Sequence, residues 1–247
     1  MIRNCTSAVS TSSRPPPSAG THGASSPFFS PDGQWVAFFA GQKLKKVPVT
    51  GGAVVVIADA PNPRGGWWAE DGTIVYAPGN RVGLMRVSAV GGEAHPLTTL
   101  AKGEITHRWP QVLPGGAAVL YTASTEVNIG ADSTLVAQPL PSGERVIVHR
   151  GGYFGRYVAS GHLIFMQEET LFAMPFDRRR LTATGALGRV IDGVKSNSAR
   201  GAAQFAVSEV GTLAYLPGRN TYDARTMVWV DRTGAIARVA RRRDRLE

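Results

Sequence analysis

Residues 29–38 read FSPDGQWVAF, which is a tight turn followed by a short apolar run. Four later segments of the chain repeat this pattern, each with a glycine at its turn. The five turn glycines are Gly33, Gly72, Gly116, Gly161 and Gly211. They are separated by 39, 44, 45 and 50 residues, a period that indicates repeated supersecondary units. The sequence therefore predicts five similar units.

Apolar and aromatic residues hold regular places around each turn glycine. An apolar residue lies four positions before the glycine in every unit, namely Phe29, Trp68, Val112, Tyr157 and Val207. An aromatic residue lies four or five positions after it, namely Phe38, Tyr76, Tyr121, Phe165 and Tyr215. Glycine permits the positive φ angles of tight hairpin turns, and aromatic residues suit a half-buried strand. Each unit is therefore predicted to begin with a β-hairpin.

A second hairpin follows in each unit, where a short apolar segment again runs towards a turn. These segments are 44–52, 84–92, 135–143, 171–177 and 227–234. Two hairpins make four strands, and four-stranded sheets repeated around an axis form a propeller. No run of helical periodicity is evident. The predicted fold is all-β, a propeller of about five four-stranded blades.

The predicted domain organisation has three parts. Residues 1–26 are rich in Ser, Thr, Pro and Gly and are predicted to be a disordered leader without a secretory signal. Residues 27–240 hold the propeller repeats, and residues 241–247 form a basic tail. The chain carries a net charge of +9, but no aromatic residue is interleaved in the tail to stack on bases, so no nucleic-acid partner is expected.

The segment 29–38 resembles the WD40-like (PD40) repeat of TolB-type propellers, whose pattern is roughly F-S-P-D-G-x-x-I-A-F. Five further segments are similar to the propeller that follows the kinase domain in many bacterial serine/threonine protein kinases. They are 44–52, 60–65, 102–111, 201–205 and 226–234. The resemblance covers roughly residues 27–237 and implies a sensing or interaction module outside the membrane.

This chain departs from the layout that the resemblance implies. It contains no kinase domain and no stretch of about 18 apolar residues that could span a bilayer. TolB-type propellers usually have six or more blades, whereas five units are found here. We therefore expect an incomplete or divergent copy, and an open ring would expose apolar blade faces that favour self-association. The sequence leaves the compartment undecided, since only the resemblance points to extracytoplasmic placement.

Local catalytic motifs are missing. The pair His107-Arg108 is followed by Trp109 instead of the aspartate of a kinase catalytic loop. No phosphate-binding loop and no G-x-S-x-G nucleophile motif occurs. No two of the five histidines have the spacing of a local metal site, and Cys5 is the only cysteine. The sequence predicts that the protein is not an enzyme and has no catalytic residue, metal or cofactor.

Binding is the predicted activity, because propellers hold ligands at the central channel and on the loops of one face. The candidate contacts lie on or near the first strand of each unit, and they are Arg64, Trp67, His107, Arg108, Gln111, Arg156 and Gln204. The arginines would favour an anionic ligand or an acidic protein surface. Trp67 has an alternative role as packing between blades.

Three functions remain open at this point. The first is a non-catalytic sensor or scaffold that binds a protein or a small molecule not identified by the sequence. The second is a regulatory propeller detached from a kinase or from a hydrolase of the prolyl oligopeptidase type. The third is a truncated fragment without an independent role.

Overall fold

The computed structural model describes residues 20–130, 132–197, 199–208 and 210–218, and also the backbone of two short strands at 228–230 and 236–238. These residues form strands and turns without a helix. The first strand begins at Ser25, within the last two residues of the predicted leader. The rest of the leader up to residue 19, and the whole predicted basic tail, lie outside the described residues.

Five sheets of four or five strands follow one another along the chain. Blade 1 contains β1 Ser25–Phe29, β2 Trp35–Ala40, β3 Lys43–Pro48 and β4 Val55–Asp59. Blade 2 contains β5 Gly66–Trp68, β6 Thr73–Tyr76, β7 Met85–Ser88 and β8 His95–Pro96. Blade 3 contains β9 Thr106–Val112, β10 Ala118–Ser124, β11 Thr134–Pro139 and β12 Val146–Arg150.

The last two blades depart slightly from this plan. Blade 4 contains β13 Tyr153–Val158, β14 His162–Gln167, β15 Thr170–Asp177, β16 Thr182–Ala183 and β17 Gly188–Ile191, the last two both pairing with β15. A small hairpin of β18 Ser196–Asn197 and β19 Ala202–Ala203 comes next. Blade 5 contains β20 Phe205–Val207, β21 Leu213–Tyr215, β22 Val228–Val230 and β23 Ile236–Arg238.

Apart from β17, which pairs with β15, strands within each blade pair with their sequence neighbours, and every pairing is antiparallel. The first strands β1, β5, β9 and β13 also contact one another in that order, so they line the centre of the ring. The prediction of an all-β propeller with about five four-stranded blades is confirmed.

The predicted turn glycines lie between the first and second strands of their blades. All five have positive φ, as tight turns of this kind require. In blades 1 and 2 the preceding aspartate caps the turn: a carboxylate oxygen of Asp32 accepts the Gln34 N–H at 3.0 Å, and one of Asp71 accepts the Thr73 N–H at 2.8 Å. These aspartates form Asx turns, which is the role that the sequence favours.

Apolar side chains fill the spaces between blades. One cluster of Phe39, Trp68 and Tyr76 lies between blades 1 and 2, and another of Val75, Val119 and Tyr121 lies between blades 2 and 3. Similar clusters join blade 3 to blade 4 and blade 4 to blade 5. The face of blade 1 turned away from blade 2 is also buried, with Phe38 wholly enclosed. Burial between sheets is what stabilises a propeller, since one blade alone leaves both faces exposed.

The first strand of blades 1 to 4 carries a repeated backbone irregularity. Ser26, Gly65, Trp109 and Phe154 all have positive φ, and each lies seven residues before the turn glycine of its blade. In blades 1, 3 and 4 the strand register shifts at this residue, as in a β-bulge. A bulky residue such as Trp109 at φ 52° is strained, so the surrounding contacts must hold it there.

Gly65 provides the space into which Trp109 packs. The residue has φ 88°, and a Cβ atom built on it would overlap the six-membered ring of Trp109. Glycine is therefore required twice over at position 65, by backbone conformation and by close approach. The contact joins blade 2 to blade 3 at the centre of the ring.

The substitution Gly65→Ala is expected to destabilise the protein strongly, because it forces both an unfavourable φ and a displacement of the Trp109 ring. We expect a loss of roughly 2–5 kcal/mol in the free energy of unfolding, measured by urea denaturation. Gly103→Ala is the matched control, since Gly103 has φ 87° and nothing within 4 Å of a built Cβ. The control should lose only the conformational part, about 1–2 kcal/mol. Equal losses for the two variants would contradict the packing role of Gly65.

Candidate functional site

Three arginines each come just before a residue of positive φ. Arg64 precedes Gly65, Arg108 precedes Trp109 and Arg200 precedes Gly201. Arg64 and Arg108 occupy equivalent places near the start of the inner strands of blades 2 and 3. Arg200 lies outside this repeat, in the hairpin that precedes blade 5. We call the end of the ring where the inner strands begin the leading end, and the turn glycines lie at the opposite end.

Trp109 connects the segments that carry these arginines. Its backbone N–H donates to the Arg64 carbonyl oxygen at 2.8 Å, and its indole Nε1–H donates to the Arg200 carbonyl oxygen at 2.8 Å. Its own carbonyl oxygen accepts a hydrogen bond from the Arg156 guanidinium at 2.9 Å. The ring also meets Phe154 edge-on, with centroids 5.0 Å apart. One residue, through its backbone and its side chain, therefore contacts blade 2, blade 4 and the hairpin before blade 5 from its place in blade 3.

Arg64 is buried, with 6% of its surface exposed. Its Nη1 donates to the carbonyl oxygens of Asn62 and Pro63 and to the side-chain oxygen of Asn62, at 2.7 to 3.1 Å. Its Nε is also buried and has no hydrogen-bond partner. A buried donor left without an acceptor costs about 1–3 kcal/mol, and more when the group is charged. Burial and the charge of Arg200 both lower the pKa of Arg64.

Arg108 is wholly buried and bonds only to neutral oxygen atoms. Nε donates to the Thr106 hydroxyl at 3.0 Å, and Nη2 donates to the Val127 carbonyl oxygen at 2.7 Å. Nη1 donates to the Ala199 carbonyl oxygen at 3.3 Å, in the hairpin before blade 5. Burial, with the nearby charge of Arg64, lowers the pKa of Arg108 to about 10. The side chain is still a cation at neutral pH.

Arg156 lies beside this group on the inner strand of blade 4. Its Nη1 donates to the Trp109 and Gly155 carbonyl oxygens at 2.9 and 2.8 Å, and its guanidinium lies 4.3 Å from the centroid of the Phe154 ring. Burial lowers the pKa of Arg156 to about 10. A guanidinium over an aromatic face gains roughly 0.5–2 kcal/mol, so this contact holds Arg156 in place.

Positive charge at the leading end is not balanced by carboxylates. Among the residues that the structure describes, no aspartate or glutamate pairs with Arg64, Arg108, Arg156 or Arg200. Removing a charged group from water costs several kcal/mol unless an opposite charge or good hydrogen bonds compensate. The arrangement is therefore suited to meeting negative charge from outside the described chain.

His107 belongs to a different polar network. It is wholly buried, its Nε2 lies 3.0 Å from a Glu104 carboxylate oxygen, and its Nδ1 lies 2.7 Å from the Thr98 hydroxyl. Because an ionised carboxylate only accepts, a neutral His107 donates from Nε2 and accepts at Nδ1 from Thr98. Glu104 also accepts hydrogen bonds from the Arg145 guanidinium, with one at 2.6 Å, and from the Ala101 N–H at 2.9 Å.

The Thr98–His107–Glu104 order has the hydroxyl, imidazole and carboxylate of a nucleophilic site. Thr98, however, is 6% exposed, and its oxygen accepts the Leu84 N–H at 2.8 Å. The hydroxyl is thus enclosed and its hydrogen-bonding capacity is used. Leu84 and Thr98 belong to blade 2, whereas His107 lies on β9, the first strand of blade 3, so this network joins two blades.

The remaining predicted contacts lie apart from the arginines or serve the packing of blades. Gln111 uses its side-chain amide to bond both backbone groups of Tyr157 in blade 4, at 3.0 and 2.6 Å. Trp67 packs into the apolar cluster between blades 2 and 3. Gln204 is exposed between β19 and β20. The sequence prediction missed one arginine, Arg200. The signal that could have indicated it is the dipeptide Arg200-Gly201, which matches Arg64-Gly65.

Two clefts lie elsewhere on the molecule. One of about 530 Å³ lies between blades 4 and 5 and is lined mainly by apolar residues such as Ile164, Leu171 and Leu213. The other, of about 510 Å³, lies between blades 2 and 3 near Glu70, Asp71 and Arg86. Neither is lined by any of the predicted contact residues. Within the described ranges, no three side chains of the His, Cys, Asp or Glu type come together as a metal site would need.

Among the described residues, none forms a helix with the length and hydropathy of a membrane span. No family model and no curated protein sequence matches this chain. Solved structures do match it, and they include TolB of Agrobacterium tumefaciens, with 12% identity, a TM-score of 0.67 and coverage of 87% of this chain and 79% of that one.

Two enzymes are also similar in structure. A gluconolactonase of Xanthomonas campestris has 15% identity and a TM-score of 0.63, covering 86% of this chain and 74% of that one. A puromycin-hydrolyzing peptidase of Mycobacterium tuberculosis has 14% identity and a TM-score of 0.56, covering 87% of this chain and 46% of that one. At these identities the matches establish the propeller fold, and they establish nothing further.

The prediction that the protein is not an enzyme is wrong. It rested on missing local motifs, whereas structural neighbours with the same fold are a lactonase and a peptidase. A propeller can assemble a site from residues on several blades that are far apart in sequence, so the absence of a short motif does not exclude catalysis. The propeller fold of this chain is compatible with catalysis.

The Glu104 network should make the stability of the protein fall in acid. Burial by itself would raise the pKa of Glu104, but hydrogen bonds from Arg145, His107 and Ala101 outweigh it and lower the pKa from 4.5 to about 2. Between these two values the unfolded chain binds a proton that the folded chain does not, so stability is lost as pH falls from 4.5 towards 2. Burial lowers the pKa of His107 from 6.5, which adds a loss that begins below pH 6.5.

We therefore expect the urea midpoint to be lower at pH 3 than at pH 7. Glu104→Gln should lower the free energy of unfolding at pH 7 by about 2 kcal/mol, and the urea midpoint with it. The midpoint of this variant should then fall less between pH 7 and pH 3 than that of the unchanged protein. Glu70→Gln is the matched control, since Glu70 is exposed, and it should behave as the unchanged protein does. A Glu104→Gln variant with the full acid dependence would show that the ion pair contributes nothing.

Proposed function

We propose that this chain is a ligand-binding propeller module, whose ligand site is the leading end of the central channel. The observation that carries this proposal is the convergence of Arg64, Arg108, Arg156 and Arg200 around Trp109. These side chains come from different blades, and most of them lie close to residues of strained backbone. Strained residues and uncompensated buried charge both lower stability, and such features are common at functional sites.

A role in sensing or scaffolding is supported by the sequence. The repeats resemble the propellers of bacterial receptor serine/threonine kinases. This resemblance implies a sensor module that lies outside the membrane. The structural match to TolB supports the TolB-type repeat that the segment 29–38 suggests. The partner is a small molecule, or a segment of a protein that binds at the leading end of the channel, where the arginines lie.

A second candidate is a regulatory propeller linked to a hydrolase. The puromycin-hydrolyzing peptidase favours it, because 87% of this chain corresponds to only 46% of that protein. The reading frame around the coding sequence distinguishes the two candidates. A G-x-S-x-G motif downstream would support the hydrolase, and a kinase catalytic loop upstream would support the receptor.

Ligand binding can be tested by a thermal-shift screen of small metabolites that includes neutral, cationic and anionic compounds. A ligand at a hundred times its dissociation constant adds about 2.7 kcal/mol, which raises Tm by roughly 5–10 °C for a chain of this size. Arg156→Gln should reduce the shift given by genuine ligands, because Arg156 lies against Trp109 at the leading end.

Arg150→Gln is the matched control for charge, since Arg150 is exposed on the outer strand of blade 3. Each shift is measured against the Tm of the same variant without ligand. Ligands whose shifts survive Arg156→Gln undiminished would bind at another place, and the proposed site would then be rejected. If no compound in the whole library raises the Tm of the unchanged protein, the proposed binding function is rejected.

A further inference from the structure

The guanidinium groups at the leading end differ in what holds them. Arg108 is fixed by hydrogen bonds to three neutral oxygens, including the Ala199 carbonyl oxygen in the segment that carries Arg200. Arg64 keeps a buried Nε–H without an acceptor. The Arg200 side chain is partly exposed, and within the described residues no hydrogen bond or ion pair holds its guanidinium. All three nitrogens of the Arg108 guanidinium therefore have a hydrogen-bond partner, whereas Arg64 and Arg200 each have a nitrogen without one among the described residues.

Residues 64 and 200 both lie against Trp109, which donates its backbone N–H to the Arg64 carbonyl oxygen and its indole N–H to the Arg200 carbonyl oxygen, each at 2.8 Å. In keeping with this geometry, the charge of Arg200 disfavours the protonated form of Arg64, and the charge of Arg64 disfavours that of Arg108. The cost of holding them there is relieved by a single negative group that accepts hydrogen bonds from two of them.

We propose that Arg64 and Arg200 form a subsite for an oxyanion, the phosphate or carboxylate group of a small ligand. In this subsite Arg108 is a positioning residue, because its Nη1 donates to the Ala199 carbonyl oxygen and so holds the segment 199–200. Its charge also adds to the positive potential of the subsite. This subsite rests on the proposed binding function and names the class of ligand that the site takes.

The chemistry favours a small oxyanion over a larger acidic surface. Guanidinium groups match the paired oxygens of phosphate and carboxylate, and Arg64 is 6% exposed, so a large acidic surface would contact little of it. The Arg200 guanidinium has no partner among the described residues, so its donors are available to an anion. A spherical halide offers no paired oxygens and should bind weakly.

The test compares the thermal unfolding of the full chain in sodium phosphate, sodium succinate and sodium chloride at equal ionic strength and pH. Phosphate stabilises many proteins by exclusion from their surfaces, so the informative quantity is the difference between the unchanged protein and a variant. Arg200→Gln removes the charge of the subsite while keeping every backbone hydrogen bond of residue 200. Arg150→Gln again serves as the control.

We expect phosphate or succinate to raise the Tm of the unchanged protein and of Arg150→Gln about 3 °C more than that of Arg200→Gln. The more effective of the two anions identifies the group that the subsite prefers. In chloride, Arg200→Gln should have a Tm equal to or higher than that of the unchanged protein, since repulsion of Arg64 is relieved. A purely structural role for Arg200 would instead lower the Tm in every salt.

Equal anion shifts in the unchanged protein and Arg200→Gln, or a lower Tm of the variant in chloride, would overturn the subsite. The proposed function fails separately. If neutral or cationic compounds still bind in a manner that depends on Arg156, the leading end is a binding site but holds no oxyanion. If neither the library nor the anions discriminate between the variants, both proposals fall.

Discussion

The contact between Trp109 and Gly65 is the constraint on which the centre of this propeller depends. Trp109 adopts a positive φ that a large side chain disfavours, and it does so because Gly65 leaves room for the ring and three partners hold its polar groups. Its backbone N–H, carbonyl oxygen and indole N–H reach blade 2, blade 4 and the hairpin before blade 5. A single strained residue thus sets the spacing of the inner strands. The same contacts fix the positions of the arginines beside it.

The repeat that stabilises the fold also explains how the site is assembled. A residue of positive φ seven positions before the turn glycine recurs in blades 1 to 4, so the residue preceding it occupies a corresponding place at the leading end in each of them. Where that residue is arginine, as at Arg64 and Arg108, the ring gathers positive charge at one end of its channel. Arg200 joins them through the β18–β19 hairpin, which leads into blade 5.

Much of the fold could be predicted from the sequence, because turns and hairpins are encoded locally. Gly33 and Gly72 follow aspartates that cap their turns, and the aromatic residues after them fill the spaces between blades. The bulges could not be predicted, since nothing in the sequence around Trp109 or Phe154 indicates positive φ in a bulky residue. For the site, Arg64, Arg108 and Arg156 do come together, whereas Gln111 clamps blade 3 to blade 4 through the Tyr157 backbone. A first strand has two faces, and its bulge decides which side chains face the channel.

Two buried polar clusters among the described residues differ in how completely their groups are paired. Around His107 both ring nitrogens have a partner and the Glu104 carboxylate is matched to the Arg145 cation, so the charges of this cluster are balanced within the protein and its effect is to join blades. Arg64 is also buried, but its Nε–H has no acceptor and the nearby charge of Arg200 has the same sign. Folding alone gives no reason to keep such a cluster, because apolar residues of similar volume would pack there at lower cost. Among the described residues no carboxylate compensates the buried charges of Arg64 and Arg108. That difference from the Glu104 network is why the search for a ligand begins at this end of the channel.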